Sequence, residues 1–146
     1  MESNIGWLLS RAALSWRTVV DQHMAELGLT QTRWIALLHL KRVGEGCTQS
    51  ALAANIGVEQ SSMLRTVNQL LEAGLIERRA SADDGRCRTL WLTDAGKALL
   101  VDVEQLAFKG RQQLLAGLDT QQRQQFHDLL AHIINNAHTV LMPEQP

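Results

Sequence analysis

Two adjacent stretches decide the fold of this chain, TQSALAANI at residues 48–56 and EQSSMLRTVNQLLEAG at residues 59–74. Between them stands Gly57, and glycine adopts the backbone conformations of sharp turns that other residues avoid. The second stretch carries apolar residues at the i, i+3, i+4 and i+7 spacing that buries one side of a helix. We therefore predict two short helices joined at a tight angle, a helix-turn-helix.

The second of these helices is predicted to have a divided surface. Its apolar residues, expected to face the core, are Met63, Leu64, Val67, Leu70 and Leu71. Its polar residues, expected to face outward, are Gln60, Ser61, Ser62, Arg65, Thr66 and Gln69. Short hydroxyl and amide side chains allow close approach to base edges, and an arginine can bind guanine through two hydrogen bonds. The polar side is a solvated surface in one interpretation and a binding surface for double-stranded DNA in the other.

The segment that follows favours DNA. The stretches LIERR at residues 75–79 and TLWLT at residues 89–93 are predicted to be the two strands of a β-wing, to which Cys47 would add a short segment. The loop between the strands contains the turn sequence DDG and is too long for a tight hairpin. We expect this loop to project from the domain and to expose its arginines, Arg86 and Arg88.

Four further helices are predicted around this region. Their expected N-terminal capping residues are Ser3 or Asn4, Thr30, Thr93 and Asp119. Asp119 is followed three residues later by Gln122, as in a capping box. The helix after Thr30 is apolar on most sides, so we expect it to lie in the middle of the fold.

The first and last helices carry more apolar surface than the core of one chain requires. Apolar stripes run from Ile5 to Leu27 in the first helix and from Phe126 to Leu141 in the last. A second copy of the chain covers such surface most simply, so we predict a homodimer in which these helices intertwine. Binding to a membrane surface is the alternative, but the last helix lacks the polar face rich in lysine and arginine that it would need.

The composition is that of a globular protein, with 146 residues, 45% hydrophobic content and a net charge of −1. There is no run of about 18 apolar residues to span a bilayer and no signal-peptide pattern. We therefore expect a cytoplasmic protein without a membrane partner. The two cysteines, Cys47 and Cys87, are expected to be reduced thiols.

The distribution of charge favours a nucleic-acid partner more than the net charge does. Lysine and arginine outnumber aspartate and glutamate by eight to six in residues 29–93, whereas acidic residues are in excess in residues 1–28 and 94–146. The net-positive third is the predicted helix-turn-helix and wing, as a basic surface confined to one face requires.

The wing sequence resembles that of a known family. DGRCRTLWLT at residues 84–93 fits the pattern D-x-R-x-x-x-L-x-L-T, the wing signature of the MarR-type winged-helix transcription regulators. Three further segments resemble the SlyA branch of that family: LTQTRW at residues 29–34, VEQSSMLRTVNQL at 58–70 and GLIERR at 74–79. The resemblance spans nearly the whole chain. Ser61 departs from it, because proline is common at this place in the branch.

The resemblance implies one MarR-type domain over residues 1–146. Residues 1–28 and 110–146 would form the dimer, and residues 29–100 the DNA-binding region. The two recognition helices would enter successive major grooves of a palindromic site while the wings reach the flanking minor grooves. The resemblance also implies repression, or activation by displacement of silencing proteins, with relief by small aromatic carboxylates in many relatives.

Two sets of site residues are predicted, one for contact with DNA and one for an effector cleft. The expected DNA contacts are Gln60, Ser61, Ser62, Arg65, Thr66 and Gln69 on the helix and Asp84, Arg86 and Arg88 on the wing. The residues able to line the effector cleft implied by the resemblance are Arg17, Thr32, Trp34 and His39. A mostly apolar wall with one cation suits a small aromatic acid. For Trp34 the alternative is a place in the core, and for Arg17 a solvated position.

Other functions fit the sequence less well. The five histidines show no metal-ligand spacing, and no glycine-rich phosphate or dinucleotide motif is present, so we predict no catalytic site, metal or cofactor. One alternative is a redox-sensing regulator of the same fold, since the cations beside Cys87 favour its thiolate. The other is a winged-helix protein-interaction module, which would not need arginines at both Arg65 and Arg86.

Overall fold

The structure, a computed structural model, describes residues 2–83 and 85–142. Its α-helices and strands, in chain order, are α1 Ile5–Met24, α2 Gln31–Val43, α3 Gln49–Ile56, α4 Gln60–Glu72, β1 Ile76–Ala80, β2 Arg88–Leu92, α5 Asp94–Leu114 and α6 Thr120–Leu141. This confirms the predicted fold class, mainly α with a small antiparallel β-wing. The chain comprises two compact units, Met1–Arg111 and Gln112–Pro146.

Helices α3 and α4 form the predicted helix-turn-helix. Thr48 caps α3, because its Oγ1 accepts a hydrogen bond of 3.1 Å from the backbone N–H of Ala51. Gly57 ends α3 with a φ of 83°, a left-handed conformation that strains other residues, and so fixes the angle at which the chain enters α4. Helix α2 contacts α1, α3 and α4, which confirms its predicted place in the middle.

One apolar core holds the first unit together. Its largest fully buried side chains are Met24, Leu37, Leu40, Leu52, Val67, Leu70, Leu90 and Val103. They come from five helices and from β2, so each of these elements is buried by the others. Burial of a large aliphatic side chain stabilises a fold by roughly 1.5–3 kcal/mol. The orientation of α4 is therefore fixed by the same core that fixes the wing.

The wing is a two-stranded antiparallel sheet in which Ile76 lies opposite Leu92 and Arg78 opposite Leu90. Ile76, Leu90 and Leu92 are buried and attach the sheet to the core. Leu90 also donates its backbone N–H to the carbonyl oxygen of Cys47 at 2.9 Å. This isolated bridge confirms the prediction that Cys47 adds a short segment to the wing.

Helix α5 begins in close contact with the chain that leads into the wing. Thr93 is its predicted cap, and its Oγ1 accepts a hydrogen bond of 3.0 Å from the N–H of Gly96. The same hydroxyl donates to the carbonyl oxygen of Gly74 at 2.6 Å. A Cβ atom on Gly96 would lie 1.9 Å from the carbonyl oxygen of Leu75, so this approach requires glycine.

The remaining predicted caps differ in outcome. Asn4 stands at the start of α1, after a short 3-10 turn at residues 2–4, but its side chain makes no capping hydrogen bond. Thr30 precedes α2 as predicted, yet its hydroxyl lies 3.4 Å from Oγ1 of Thr32 and caps nothing. At α6 the capping box of Asp119 is present with both reciprocal hydrogen bonds, which confirms that prediction.

Helices α1 and α6 each leave apolar side chains exposed. Those of α1 are Ile5, Trp7, Leu8, Leu9 and Leu14. Those of α6 are Phe126, Leu129, Ile133, Ile134, Val140 and Leu141. No residue of α6, which is described over its whole length, is buried. The surplus apolar surface predicted for both helices is therefore present, although no helix in the described part of the chain is long and apolar enough to cross a membrane.

Candidate nucleic-acid interface

The exposed side of α4 carries a ridge of four residues. Ser61, Leu64, Arg65 and Asn68 follow the i, i+3, i+4 and i+7 spacing that places residues on one helix face, and all four are exposed. The guanidinium of Arg65 makes no hydrogen bond or ion pair with any residue of the described ranges. Its donors are therefore available to a partner outside the chain.

Two residues of α4 face the side opposite to the one predicted. Thr66, predicted to be exposed, is buried, because it falls at the i+3 position of the stripe that starts at Met63. Its hydroxyl donates to the backbone carbonyl oxygen of Ser62 at 3.3 Å, which makes its burial inexpensive. Leu64, predicted to face the core, is 45% exposed. Thr66 therefore has no exposed side chain to offer a base.

The other three predicted DNA contacts of α4 differ in their exposure. Gln60 and Ser62 are exposed, as predicted. Gln69 is half-buried, and its Oε1 accepts a hydrogen bond of 3.2 Å from Nε of Arg33 in α2. Arg33 occupies one lone pair of this oxygen, and the amide nitrogen of Gln69 keeps its N–H groups as donors toward a partner. Arg33 was not among the predicted contacts, because its hydrogen bond joins residues 36 positions apart in sequence.

A groove of about 360 Å³ lies between the start of α2 and the exposed side of α4. Its lining residues are Thr30, Thr32, Arg33, Ser61, Ser62, Arg65, Thr66 and Gln69. Within the described chain this lining contains two arginines and several hydroxyl groups but no acidic side chain. Arginine and hydroxyl side chains are the groups that bind phosphate oxygens of a nucleic-acid backbone, so the groove suits an anionic partner.

Two arginines of β1 are engaged within the fold. Nη2 of Arg78 lies 3.4 Å from Oε1 of Gln49 and 3.5 Å from Oδ1 of Asn68, and so links β1 to both helices of the helix-turn-helix. Arg79 stacks on the ring of Trp91, with its guanidinium carbon 4.4 Å from the ring centroid. Nε of Arg79 also donates to Oε1 of Glu77 at 2.9 Å.

The predicted wing contacts lie at the far end of the same sheet. Arg86 is exposed in the loop, and Arg88 is exposed where β2 begins. Asp84, the third predicted contact, lies outside the described residues. Arg86 and Arg88 are thus exposed, as predicted, and so are Arg78 and Arg79, whose guanidinium groups also contact other side chains of the fold.

The predicted effector residues separate into two groups. Arg17 and Thr32 line a cavity of about 180 Å³ beneath the start of α4. Trp34 is instead buried in the core, where its Nε1 donates to Oδ1 of Asp21 at 3.1 Å. Nδ1 of His39 lies 2.8 Å from Oδ1 of Asn55. Trp34 and His39 thus do not line the cavity that Arg17 and Thr32 share, and Trp34 occupies the core position that was its alternative.

The cavity beneath α4 is mostly apolar. Its lining residues are Arg17, Gln31, Thr32, Ile35, Ile56, Gly57, Val58, Ser62, Met63 and Thr66. Arg17 is the charged side chain among them. Ser62, Met63 and Thr66 belong to α4, so a molecule in this cavity would touch the helix that carries the exposed ridge.

The two thiols have different surroundings. Cys47 packs against the core, and burial raises the pKa of its thiol. Cys87 is half-buried in the wing loop, and its backbone carbonyl accepts a hydrogen bond of 2.8 Å from the N–H of Ser81. Among the described residues, no group of three or more histidine, cysteine, aspartate or glutamate side chains could hold a metal ion.

Comparison with known proteins places the chain in a family. The family model described as MarR family matches residues 27–86. The crystal structure of the transcriptional regulator PA3341 is 34% identical over 92% of this chain and 98% of its own, with a TM-score of 0.85. A probable transcriptional regulator from Pseudomonas aeruginosa is 30% identical over 90% of this chain and 98% of its own, with a TM-score of 0.77.

The fold alone is shared with a more distant structure, the transcriptional regulator SlyA. It is 24% identical over 92% of this chain and 94% of its own, with a TM-score of 0.79. With two solved regulators at 30% identity or more and the family model on its helix-turn-helix, the chain belongs to the MarR family, whose members regulate transcription and are not enzymes.

Proposed function

We propose that this protein is a homodimeric transcriptional regulator that binds palindromic sites in double-stranded DNA. The exposed ridge of α4 carries the proposal, because it presents the guanidinium of Arg65, which no described residue engages, beside the short polar side chains of Ser61 and Asn68. A recognition helix in the major groove needs such a face. The groove beside the ridge supports the proposal too, because its lining of arginine and hydroxyl side chains suits phosphate oxygens.

Arg65 is the residue that we assign to base recognition. It stands in the middle of the ridge, one turn after Ser61, and an arginine there can bind O6 and N7 of guanine together. Gln60, Ser61 and Ser62 are exposed one turn earlier and would help to position the helix. Arg33 and the hydroxyls at the start of α2 would bind phosphates and set the depth of α4 in the groove.

The wing is the second proposed contact. Arg86 and Arg88 would enter the minor groove beside the recognition site, where narrow A·T-rich segments attract inserted arginines. Asp84, two residues before Arg86, would orient its guanidinium. In this assignment the major groove supplies sequence recognition and the minor groove supplies shape recognition.

The dimer is proposed from the exposed apolar surfaces of α1 and α6. Residues 1–28 and 110–146 would form the dimer, with residues 29–100 as the DNA-binding region of one MarR-type domain. A two-fold dimer presents two copies of α4, so half-sites about one helical turn, or about 10 base pairs, apart would be bound together.

A small aromatic carboxylate is the proposed effector. The cavity beneath α4 supports it, because an apolar lining with one cation, Arg17, is what such a molecule requires. A ligand that displaced α4 would weaken DNA binding by its differential affinity for the two positions of the helix, and by no more. The cavity would thereby link effector and recognition helix directly.

We further propose that the protein belongs to the SlyA branch of its family and acts in the cytoplasm. The segments at residues 29–34, 58–70 and 74–79 support the branch. Regulation in this branch would take the form of repression, or of activation by displacement of silencing proteins.

The proposed DNA binding is tested by selection of sites from a random duplex library with the purified protein. The expected result is a palindromic consensus whose half-sites are centred about 10 base pairs apart. Size-exclusion chromatography with light scattering on the same preparation should give the mass of two chains. Recovery of sequences with no shared pattern would contradict the proposal.

A further inference from the structure

The exposed ridge of α4 contains one apolar member, Leu64. Its neighbours on the ridge are Ser61, Arg65 and Asn68, all of them able to form hydrogen bonds. Leu64 is 45% exposed, so almost half of an apolar side chain projects from the centre of a polar face. Single exposed leucines are common on protein surfaces, but this one lies where we have placed the base edges of DNA.

The fold does not require a leucine at this position. The apolar side of α4 is completed by Met63, Val67 and Leu70, which are 3% exposed or less. Leu64 is not a member of the core cluster and lines none of the cavities beside α4 described above. A polar residue of similar helix propensity would serve the helix equally well there. The apolar side chain of Leu64 is therefore available to a partner outside the chain.

The major groove offers one apolar feature. Its base edges present hydrogen-bond donors and acceptors, with the exception of the C5-methyl group of thymine. We propose that Leu64 packs against a thymine methyl group in each half-site and thereby specifies a thymine there. This inference rests on the proposed DNA-binding function of α4 and adds to it a second base-specifying residue, which works by apolar contact where Arg65 works by hydrogen bonds.

The position of that thymine relative to the arginine contact follows from helix geometry. Consecutive residues of an α-helix differ by about 1.5 Å along the axis. One base step is about 3.4 Å, which is more than twice this rise. Leu64 and Arg65 therefore lie close enough along the helix to contact neighbouring base pairs. We expect the specified thymine to lie immediately beside the guanine that Arg65 binds.

The experiment removes the methyl group from the DNA. Starting from a site selected by the wild-type protein, each thymine of a half-site is replaced singly by deoxyuridine, which keeps every hydrogen-bonding group. Dissociation constants are measured by fluorescence anisotropy for wild type, Leu64→Ala and Val101→Ala. Val101 is 53% exposed on α5 and serves as the matched loss of exposed apolar surface away from α4.

One deoxyuridine position should weaken wild type and Val101→Ala by about fourfold, and by about fifteenfold when both half-sites carry it, as loss of one buried methyl contact per half-site predicts. Leu64→Ala should bind the thymine and deoxyuridine duplexes equally. Circular dichroism of each variant confirms that the fold is retained.

Two outcomes overturn the inference, and they differ in their meaning. In the first, Leu64→Ala loses as much affinity as wild type at the position sensitive to deoxyuridine, or wild type has no such position. Leu64 then does not contact a thymine methyl group, and the DNA-binding function still stands. If wild type selects no common sequence, the proposed function fails and the inference fails with it.

Discussion

Helices α4 and α6 are both amphipathic, but only α4 has its apolar side covered within the chain. Met63, Val67 and Leu70 of α4 are buried in the core of the first unit. Ile134 and Leu141 of α6 are 67% and 79% exposed. The same periodicity thus predicts a helix face without revealing what covers it. In α4 the uncovered side is mostly polar, as the proposed DNA contact would require, whereas in α6 it is apolar, as the proposed contact with a second copy of the chain would require.

Removal of α6 should have the largest effect. Truncation after Leu118 deletes the helix and leaves the proposed apolar partner surfaces of the dimer unmatched, so we expect aggregated or unfolded protein by size-exclusion chromatography and circular dichroism. A gentler version is Ile134→Asp, which should dissociate the dimer, with Asn135→Asp on the neighbouring polar side as its control. A soluble, folded monomer from the truncation would show that the remaining apolar surface, including that of α1, needs no second copy of the chain, and would contradict an obligate dimer.

Two leucines of α4 should differ in their contribution to stability. Leu70→Ala empties a fully buried position and should lower the free energy of unfolding by about 2–5 kcal/mol. Leu64→Ala, on the exposed ridge, should change it by no more than about 0.5 kcal/mol. Urea denaturation of the two variants measures both values. Equal losses would mean that the two sides of α4 are not distinguished in the folded protein.

Two arginines should differ in their contribution to DNA binding. Arg65→Ala should weaken binding to the selected site by roughly 1–3 kcal/mol, or about fivefold to 150-fold, while binding to unrelated DNA changes little. Arg79→Ala is the control, because Arg79 is held by Trp91 and Glu77 and we expect less than a threefold effect. Gel-shift titrations measure the loss of DNA affinity in both variants. A larger loss for Arg79→Ala would refute the assignment of Arg65 to base recognition.

The smallest effect is expected from the wing. Arg86→Ala should cost about 1 kcal/mol, or roughly fivefold, on sites with A·T-rich flanks and less on sites with G·C-rich flanks. Asp84→Ala should cause part of the same loss despite removing a negative charge, because Arg86 then loses its orientation. Gel shifts at two salt concentrations compare the flanks. Equal losses of Arg86→Ala on both would mean that the wing contacts phosphates and not groove shape.

The fold was predictable because its signals are local. Thr48, Thr93 and Asp119 cap helices through backbone groups within three residues, and the order of helices and wing strands follows from periodicity and turn chemistry. Thr30 shows that a suitable residue type does not ensure a cap. Its hydroxyl lies near that of Thr32, and α2 begins without a side-chain capping hydrogen bond.

The site was predictable only in part, because tertiary packing sets the rotation of α4. Two residues of α4 lie on the side opposite to the predicted one. Leu64, predicted to be buried, is exposed. Thr66, predicted to be exposed, is buried, and its hydroxyl donates a hydrogen bond within the helix. Arg33 engages Gln69, and Trp34 engages Asp21, from distant positions in sequence. No periodicity within one helix reveals such contacts, which is why Asn68 and Leu64 were missed on the ridge.

The claim that the exposed ridge of α4 specifies DNA sequence has one direct test. Fluorescence-anisotropy titrations would compare a selected palindrome with a shuffled duplex of equal composition, at physiological salt, for wild type and Arg65→Ala. Wild type should bind the palindrome at least about 10³-fold more tightly than the shuffled duplex, and Arg65→Ala should lose most of that ratio. Equal affinity of wild type for the two duplexes would contradict the claim.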